Sequence, residues 1–169
     1  AFEHLKKKPE EASTSGMFII ENFATFLRES TWVLDTGCGS HICTSVQGLR
    51  NCRKLAKGEM DLRVGNGARV AALAVGSFSL VLPSGLVLVL NNCYYIPSVT
   101  KNIVSIACLA AEGFEILFSN NNCQIHLNNI LYGYGMLKGG IYILDTKTEV
   151  FNINNVKKVK LDNENSFYL

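Results

Sequence analysis

The residues with the clearest chemical potential lie in one short segment, Trp32-Val33-Leu34-Asp35-Thr36-Gly37. A carboxylate at the end of an apolar run, followed by a small hydroxyl residue and a glycine, suits acid–base catalysis. The apolar run buries the base of the site, the Thr36 hydroxyl can brace the loop, and Gly37 lets a backbone N–H point at the carboxylate. The tripeptide Asp35-Thr36-Gly37 alone is equally consistent with an aspartate that only caps a turn after a strand.

The number of suitable carboxylates bears on the assembly. Of the aspartates, only Asp35 precedes a hydroxyl residue and glycine, whereas Asp145 precedes Thr146 and Lys147. Peptide hydrolysis by carboxylates needs two of them, one to activate water and one to donate a proton to the carbonyl oxygen. Two carboxylates about 3 Å apart cannot both ionise, so such a pair shares one proton. A catalytic Asp35 therefore predicts a homodimer in which each copy supplies one carboxylate.

The elements that would position this segment are predicted to be short strands, which favours an all-β barrel or sandwich. Strands are predicted at 32–35, 41–44, 60–64, 68–75, 77–82, 86–90, 93–96, 114–118, 123–127, 130–134 and 141–145. The motifs Gly65-Asn66-Gly67 and Pro83-Ser84-Gly85 predict hairpin turns, because Asn-Gly supplies the positive φ values that tight turns need. One short helix is predicted over residues 103–112, with Gly113 as its C-terminal cap.

Length and composition fit one compact domain: the chain has 169 residues, of which 48% are apolar and 18% charged. We expect a leader over residues 1–30, the folded domain over 31–145 and a linker over 146–169. The net charge of +2 is too small to predict nucleic-acid binding for this segment. The longest apolar run, 78–90, is interrupted by Pro83, so no membrane partner is expected.

Two further groups of residues could bind a ligand. Cys38, His41 and Cys43 form a C-x-x-H-x-C pattern that lacks a fourth zinc ligand, so neither a metal nor another cofactor is expected. Four cationic side chains form a basic cluster that we interpret as a solvated face. They are Arg50, Arg53, Lys54 and Lys57.

Four blocks of the chain together resemble one known family. They are the segments 32–41, 62–67, 95–106 and 140–144, which extend over roughly two-thirds of the chain. They resemble four conserved parts of the copia-type LTR-retrotransposon aspartic protease. In the same order, these parts are the active-site block, the flap hairpin, the second conserved block and the strand leading toward the pre-integrase region. Four blocks in the family's order are more specific than any one of them.

The resemblance implies a retropepsin-like closed barrel or half-barrel that works as a homodimeric aspartic endopeptidase on polyprotein junctions, in a cytoplasmic retrotransposon particle. It also implies that the Ile103-Val104 pair lies across from the catalytic loop. The implied site residues are the catalytic Asp35, the loop residues Thr36 and Gly37, and the flap residues Gly65, Asn66 and Gly67, which would cover an extended peptide substrate.

Two positions bear on the resemblance and keep alternatives open. Ser105 stands where retroviral proteases usually carry glycine and copia-type members carry serine. Gly39 stands where most copia-type members carry serine or threonine, which removes a hydroxyl beside the site. A catalytically inactive β-barrel remnant of such an element is therefore one alternative. A second is a nucleic-acid-binding module that uses the basic cluster and the lysines of 157–160.

Overall fold

The computed structural model describes residues 30–64 and 67–147, and these form a β-rich domain with one short helix. Ten strands build one sheet in the order β3-β6-β7-β2-β8-β1-β12-β11-β10-β9, while β4 and β5 pair as a separate hairpin. The elements are β1 (Trp32–Asp35), β2 (Ile42–Cys43), β3 (Leu49–Lys54), β4 (Asp61–Arg63), β5 (Arg69–Ala71), β6 (Ala74–Val81), β7 (Val87–Tyr95), β8 (Asn102–Ser105), α1 (Ile106–Ala111), β9 (Glu115–Ser119), β10 (Asn122–Leu127), β11 (Ile130–Lys138) and β12 (Ile141–Leu144). The all-β prediction is confirmed. Within the described ranges, no helix is long and apolar enough to cross a membrane.

The long sheet folds back on itself, so that the β6–β7 hairpin meets β11. The Ser84 hydroxyl in the turn of this hairpin donates to the carbonyl of Tyr132. A Cβ on Gly133 would lie 3.1 Å from Leu82 Cδ1, which shows how closely the two parts approach. Because β6 and β11 are far apart in the strand order, these contacts bend the sheet into a barrel around its core.

Two apolar clusters fill the domain, and β1 separates them. The side chains of a strand alternate between its two faces, so Trp32 and Leu34 enter the main core while Val33 and Asp35 point to the other side. On that other side lies a smaller core that packs beside the loop after Asp35. Its buried members are Cys38, Ile42, Leu62, Ala72, Ile96, Val99 and Ile103.

Strand β1 has a partner along each edge. It pairs in parallel with β8, with Leu34 beside Val104 and Asp35 beside Ser105, and antiparallel with β12, with Val33 beside Ile143. The predicted proximity of β1 to the Ile103-Val104 pair is therefore confirmed, although the two segments are distant in sequence. A strand that is held on both edges gives its terminal residue a fixed direction.

The predicted helix over 103–112 begins too early. Residues Asn102–Ser105 form β8 and are buried throughout, because this strand lies between β1 and β2 in the sheet. The apolar pair in it fits either a buried strand or a helix by periodicity, and pairing with β1 decides for the strand. Helix α1 is only Ile106–Ala111, with Ser105 as its N-cap.

The predicted C-terminal cap of the helix is confirmed. Gly113 has φ +90°, a left-handed conformation that glycine adopts without steric cost. Its N–H donates to the carbonyl of Ala110 at 3.0 Å, and the N–H of Phe114 donates to the carbonyl of Leu109 at 3.0 Å. This pair of bonds is the Schellman motif, which satisfies the last carbonyls of the helix.

Three strand predictions need correction. Strands 86–90 and 93–96 are one strand, β7, which continues through a bulge: Asn91 and Asn92, the latter at φ +52°, lie opposite the single residue Ser77 of β6. The predicted strand 68–75 is divided between β5 and the start of β6. Strand β3 was not predicted, because its charged residues leave no alternation of apolar and polar positions. As a strand at the edge of the sheet, it is mostly exposed and does not need that alternation.

Gly135 gives a direct test of the core packing. A Cβ at this buried position would lie 2.5 Å from Leu34 Cδ1 and 2.6 Å from Cys123 Sγ. We expect Gly135→Ala to lower the free energy of unfolding by about 1–3 kcal/mol, as measured by chemical denaturation. Gly39→Ala is the matched control, since a Cβ there would meet nothing within 4 Å. Equal stability of the two variants would contradict the packing described here.

Candidate active site

The Asp35 carboxylate lies at the C-terminal end of β1, where the strand leaves the sheet. Its side chain is only half-buried, and the two residues that follow it are exposed. The Gly37 N–H donates to Asp35 Oδ1 at 2.7 Å, which is the backbone contact expected from the sequence. This bond orients the carboxylate, and within the described ranges Oδ2 has no hydrogen-bond partner.

The loop after Asp35 is held by the start of helix α1. Ser105 Oγ donates to the carbonyl of Cys38 at 2.6 Å and accepts from the N–H of Cys108 at 3.1 Å. Cys108 Sγ in turn donates to the carbonyl of Gly39 at 3.3 Å. One buried hydroxyl thus caps the helix and binds the loop at once, so the loop is held to the start of the helix.

His41 is a second support of this loop, and its side chain is fully buried. The N–H of Ser105 donates to His41 Nδ1 at 3.0 Å, so the proton of the neutral ring is on Nε2. Nε2 has no hydrogen-bond partner among the described residues. Burial lowers the pKa of His41 from 6.5 to about 4, so the ring is neutral and can act as an acceptor at neutral pH.

Cys38 lies three residues beyond Asp35 and is equally buried. Its thiol donates to the carbonyl of Ser40 at 2.9 Å. Burial raises the pKa of Cys38 to about 12, and the nearby Asp35 charge adds to this effect. The thiol therefore stays protonated at neutral pH, which makes it a packing group and not a nucleophile.

The zinc alternative finds no support in the geometry. His41 Nδ1 is already occupied by a backbone N–H, and Cys38 is bound to a carbonyl. Within the described ranges, no group of three or more His, Cys, Asp or Glu side chains is placed to bind a metal ion. The C-x-x-H-x-C pattern is instead the part of the loop that packs into the smaller core and against Ser105.

The predicted flap is a hairpin formed by β4 and β5, with Leu62 opposite Val70. The N–H of Val64 donates to the carbonyl of Ala68 at 3.0 Å, which closes the stem. Leu62 is 2% exposed and packs in the same cluster as Cys38, so the base of the hairpin lies against the candidate catalytic loop. Gly67 is exposed with φ +82°, whereas Gly65 and Asn66 lie outside the described residues.

The sequence also singles out Thr36 and Gly39 in this loop. The Thr36 side chain is exposed, and among the described residues Ser105 and Cys108, not Thr36, bind the loop carbonyls. At Gly39, a Cβ would meet nothing within 4 Å, so a side chain could be accommodated there. The packing around this position therefore does not require glycine.

Among the described residues of one chain, a single carboxylate lies at this site. Asp145 lies beyond the end of β12, and because β12 runs antiparallel to β1, this side chain lies toward the opposite end of β1. Asp61 lies on β4 of the hairpin and is exposed. One fixed carboxylate can bind or orient a water molecule, but it provides only half of an acid–base pair.

The Ser105 hydroxyl was assigned no contacts from the sequence, and its removal should be costly. Ser105→Ala would remove the hydrogen bond to the Cys38 carbonyl and the cap on the Cys108 N–H. We expect the free energy of unfolding to fall by about 1–3 kcal/mol in chemical denaturation. Ser79→Ala, at an exposed position of β6, is the control and should change it by less than about 0.5 kcal/mol. Similar losses of stability in both variants would contradict the role of the Ser105 hydroxyl in holding the loop and the helix cap.

The buried neutral His41 also predicts a pH dependence. Its pKa is near 6.5 in the unfolded chain and about 4 in the fold, so only the unfolded chain gains a proton between these values. Stability should therefore be fully present above pH 6.5 and fall toward pH 4, by on the order of 3 kcal/mol from this residue. His41→Asn keeps an acceptor for the Ser105 N–H and cannot titrate, so its stability in urea should fall less over this range. Parallel curves for the two proteins would contradict the assignment.

The comparisons with known proteins agree with this fold. The family described as "Pol polyprotein, beta-barrel domain" matches residues 32–114, from the first residue of β1 to just beyond α1. The retrovirus-related Pol polyprotein from transposon TNT 1-94 of Nicotiana tabacum is 28% identical over 114 residues. That alignment covers 68% of this chain and 8% of the relative, so the chain spans only a small part of the protein it matches. No solved structure matches. Residues 32–114 thus match the model of the Pol polyprotein β-barrel family, and 68% of the chain is similar to a small part of a retrovirus-related Pol polyprotein from a transposon.

Proposed function

We propose that this domain is an aspartic endopeptidase that becomes complete only when two copies associate. The observation that carries the proposal is the placement of Asp35. Its carboxylate ends a strand that is paired on both edges, and the Gly37 N–H binds Oδ1 at 2.7 Å. A rigid carboxylate with one open side is what one half of a two-aspartate site requires.

In the proposed dimer, Asp35 of each copy would face the other across a two-fold axis. The pair would hold a single proton, because two neighbouring carboxylates cannot both ionise at short distance. The ionised member would take a proton from a water molecule as that water attacks the peptide carbonyl. The protonated member would donate to the carbonyl oxygen, and a later proton transfer to the amine would release the two products.

The exposed surface beside the carboxylate supports this arrangement. Thr36 and Gly37 are exposed in the single chain, whereas Cys38 is buried and its carbonyl accepts from Ser105, the N-cap of α1. A second copy seated on Thr36 and Gly37 would cover the carboxylates and exclude bulk water from between them. Exclusion of water strengthens the hydrogen bonds that the pair makes with substrate.

The hairpin of β4 and β5 supplies a cover for the substrate. Its base packs beside Cys38 through Leu62, next to the loop that follows Asp35. An extended peptide held between the hairpin and the carboxylates would bind through its backbone, as in other strand-like recognition. Homology to a Pol polyprotein makes the junctions of such a polyprotein the natural substrates.

Asp35→Asn tests the chemistry without disturbing the loop, because the amide has the same shape but cannot act as a base. We expect cleavage to fall at least 100-fold, measured by mass spectrometry of products from an unbiased peptide mixture and of the chain itself. The free energy of unfolding should stay within about 1 kcal/mol of the parent.

Asp145→Asn is the matched control, since it changes an exposed aspartate that also precedes threonine. This control should retain full activity, and a transition-state analogue of peptide hydrolysis should inhibit both it and the parent. Equal cleavage by the parent and Asp35→Asn would show that the proteolysis comes from elsewhere. An absence of cleavage in every protein would instead favour the inactive-remnant alternative.

A further inference from the structure

The charges of this domain are strongly segregated. Residues 50–71 contain six cationic side chains and two anionic ones, whereas the remainder of the described chain contains three cationic and four anionic ones. The six cations, which we call the basic band, are Arg50, Arg53, Lys54, Lys57, Arg63 and Arg69. All six are exposed. The low net charge of the chain hides this concentration, because it averages over regions of opposite sign.

Two arginines of the band lie directly opposite each other on the hairpin. Arg63 pairs with Arg69 in the register of β4 and β5, next to the pair of Leu62 with Val70. Neighbouring pairs on a hairpin point to opposite faces, and Leu62 packs into the smaller core. The two arginines therefore point away from that core and from the candidate catalytic loop that packs there.

This arginine pair is not explained by the fold. Like charges directly across a strand pair destabilise it. Charged residues do protect exposed strand edges from aggregation, but an Arg–Glu pair would protect the hairpin equally and would also stabilise it. In the described residues Arg53 has an ion pair, with Glu59 at 2.8 Å, whereas Arg63 and Arg69 have none. Their charge is available to an external partner.

We propose that the basic band binds the phosphate backbone of single-stranded RNA. Four of its six members are arginines, whose planar guanidinium groups match phosphate oxygens with two parallel hydrogen bonds. Residues 50–71 contain no Phe, Tyr or Trp, so the band offers no surface for stacking bases. The predicted binding is consequently electrostatic and independent of base sequence.

The dispersal of the band favours a polyphosphate chain over an acidic peptide. The cations extend from the edge strand β3, through the 55–60 loop, to the stem of the hairpin. Hydrogen bonds of Leu55 to Leu73 and of Ala72 to Met60 anchor both ends of that loop at 3.0 Å. A flexible strand with a charge at every nucleotide can follow such a path, whereas an acidic peptide would need carboxylates at matching intervals.

The experiment measures fluorescence anisotropy of a labelled 20-nucleotide RNA of mixed sequence with the full chain, over a range of salt concentrations. Neutralising four to six phosphates predicts a slope of log K against log salt between about −3 and −4. The double substitution Arg63→Gln with Arg69→Gln should make the slope less negative by about 1.4 and weaken binding at least tenfold at low salt. The control, Lys138→Gln with Lys147→Gln, removes the same charge outside the band and should change binding less than twofold.

Equal weakening by both double variants would overturn the proposal, because net charge alone would then govern binding. Failure to bind RNA would overturn it as well. Competition by polyglutamate that is as effective as competition by unlabelled RNA would instead assign the band to an acidic protein. Asp35→Asn should bind RNA like the parent, so this result is separate from the proteolytic proposal. Circular dichroism of each variant establishes that it is folded.

Discussion

The buried hydroxyl of Ser105 is the point on which the rest of this site depends. It donates to the carbonyl of Cys38 at 2.6 Å and caps helix α1 through the N–H of Cys108. The backbone of the same residue pairs with Asp35 in the sheet and donates to His41. Strand, helix and loop are therefore joined at one residue, and the position of the Asp35 carboxylate follows from that junction.

The support of β1 extends beyond the region that the Pol β-barrel family covers. The family match ends at residue 114, yet β12 pairs with β1 on the edge opposite β8. Leu34 of β1 approaches Gly135 of β11 so closely that a Cβ there would overlap it. The strands after α1 are thus part of the structural unit, because without them one edge of β1 and part of the main core would be open to solvent.

Local sequence patterns were sufficient to predict those features that local physics determines. An apolar run ended by Asp35, a Pro-Ser-Gly turn and a glycine after a helix each act within a few residues, and the corresponding elements are confirmed. The bond from the Gly37 N–H to Asp35 belongs to the same class, since it joins residues two apart. The family resemblance added the pairing of β1 with β8, which composition and periodicity could not provide.

The features that were missed depend on contacts between distant residues. Ser105 binds the Cys38 carbonyl across 67 positions, and His41 accepts from Ser105 across 64. No spacing within the sequence signals such bonds. His41 was grouped with cysteines by its neighbours, but its burial without a counter-charge is a property of the fold. Strand β3 was missed because it lies at the edge of the sheet, where its charged residues are exposed and show no apolar pattern typical of a core strand.

The central claim is that two copies of Asp35 form one catalytic site, and subunit mixing tests it most directly. Parent chain and Asp35→Asn are denatured, mixed and refolded together, and the rate of peptide cleavage is measured at a constant amount of parent chain. Random pairing in a two-fold dimer predicts that an equal amount of Asp35→Asn lowers the rate to about one half, and a threefold excess lowers it to about one quarter. The same additions of Asp145→Asn should not lower the rate. A rate that is unaffected by Asp35→Asn would mean that each chain carries a complete site, and the shared-aspartate account would be wrong.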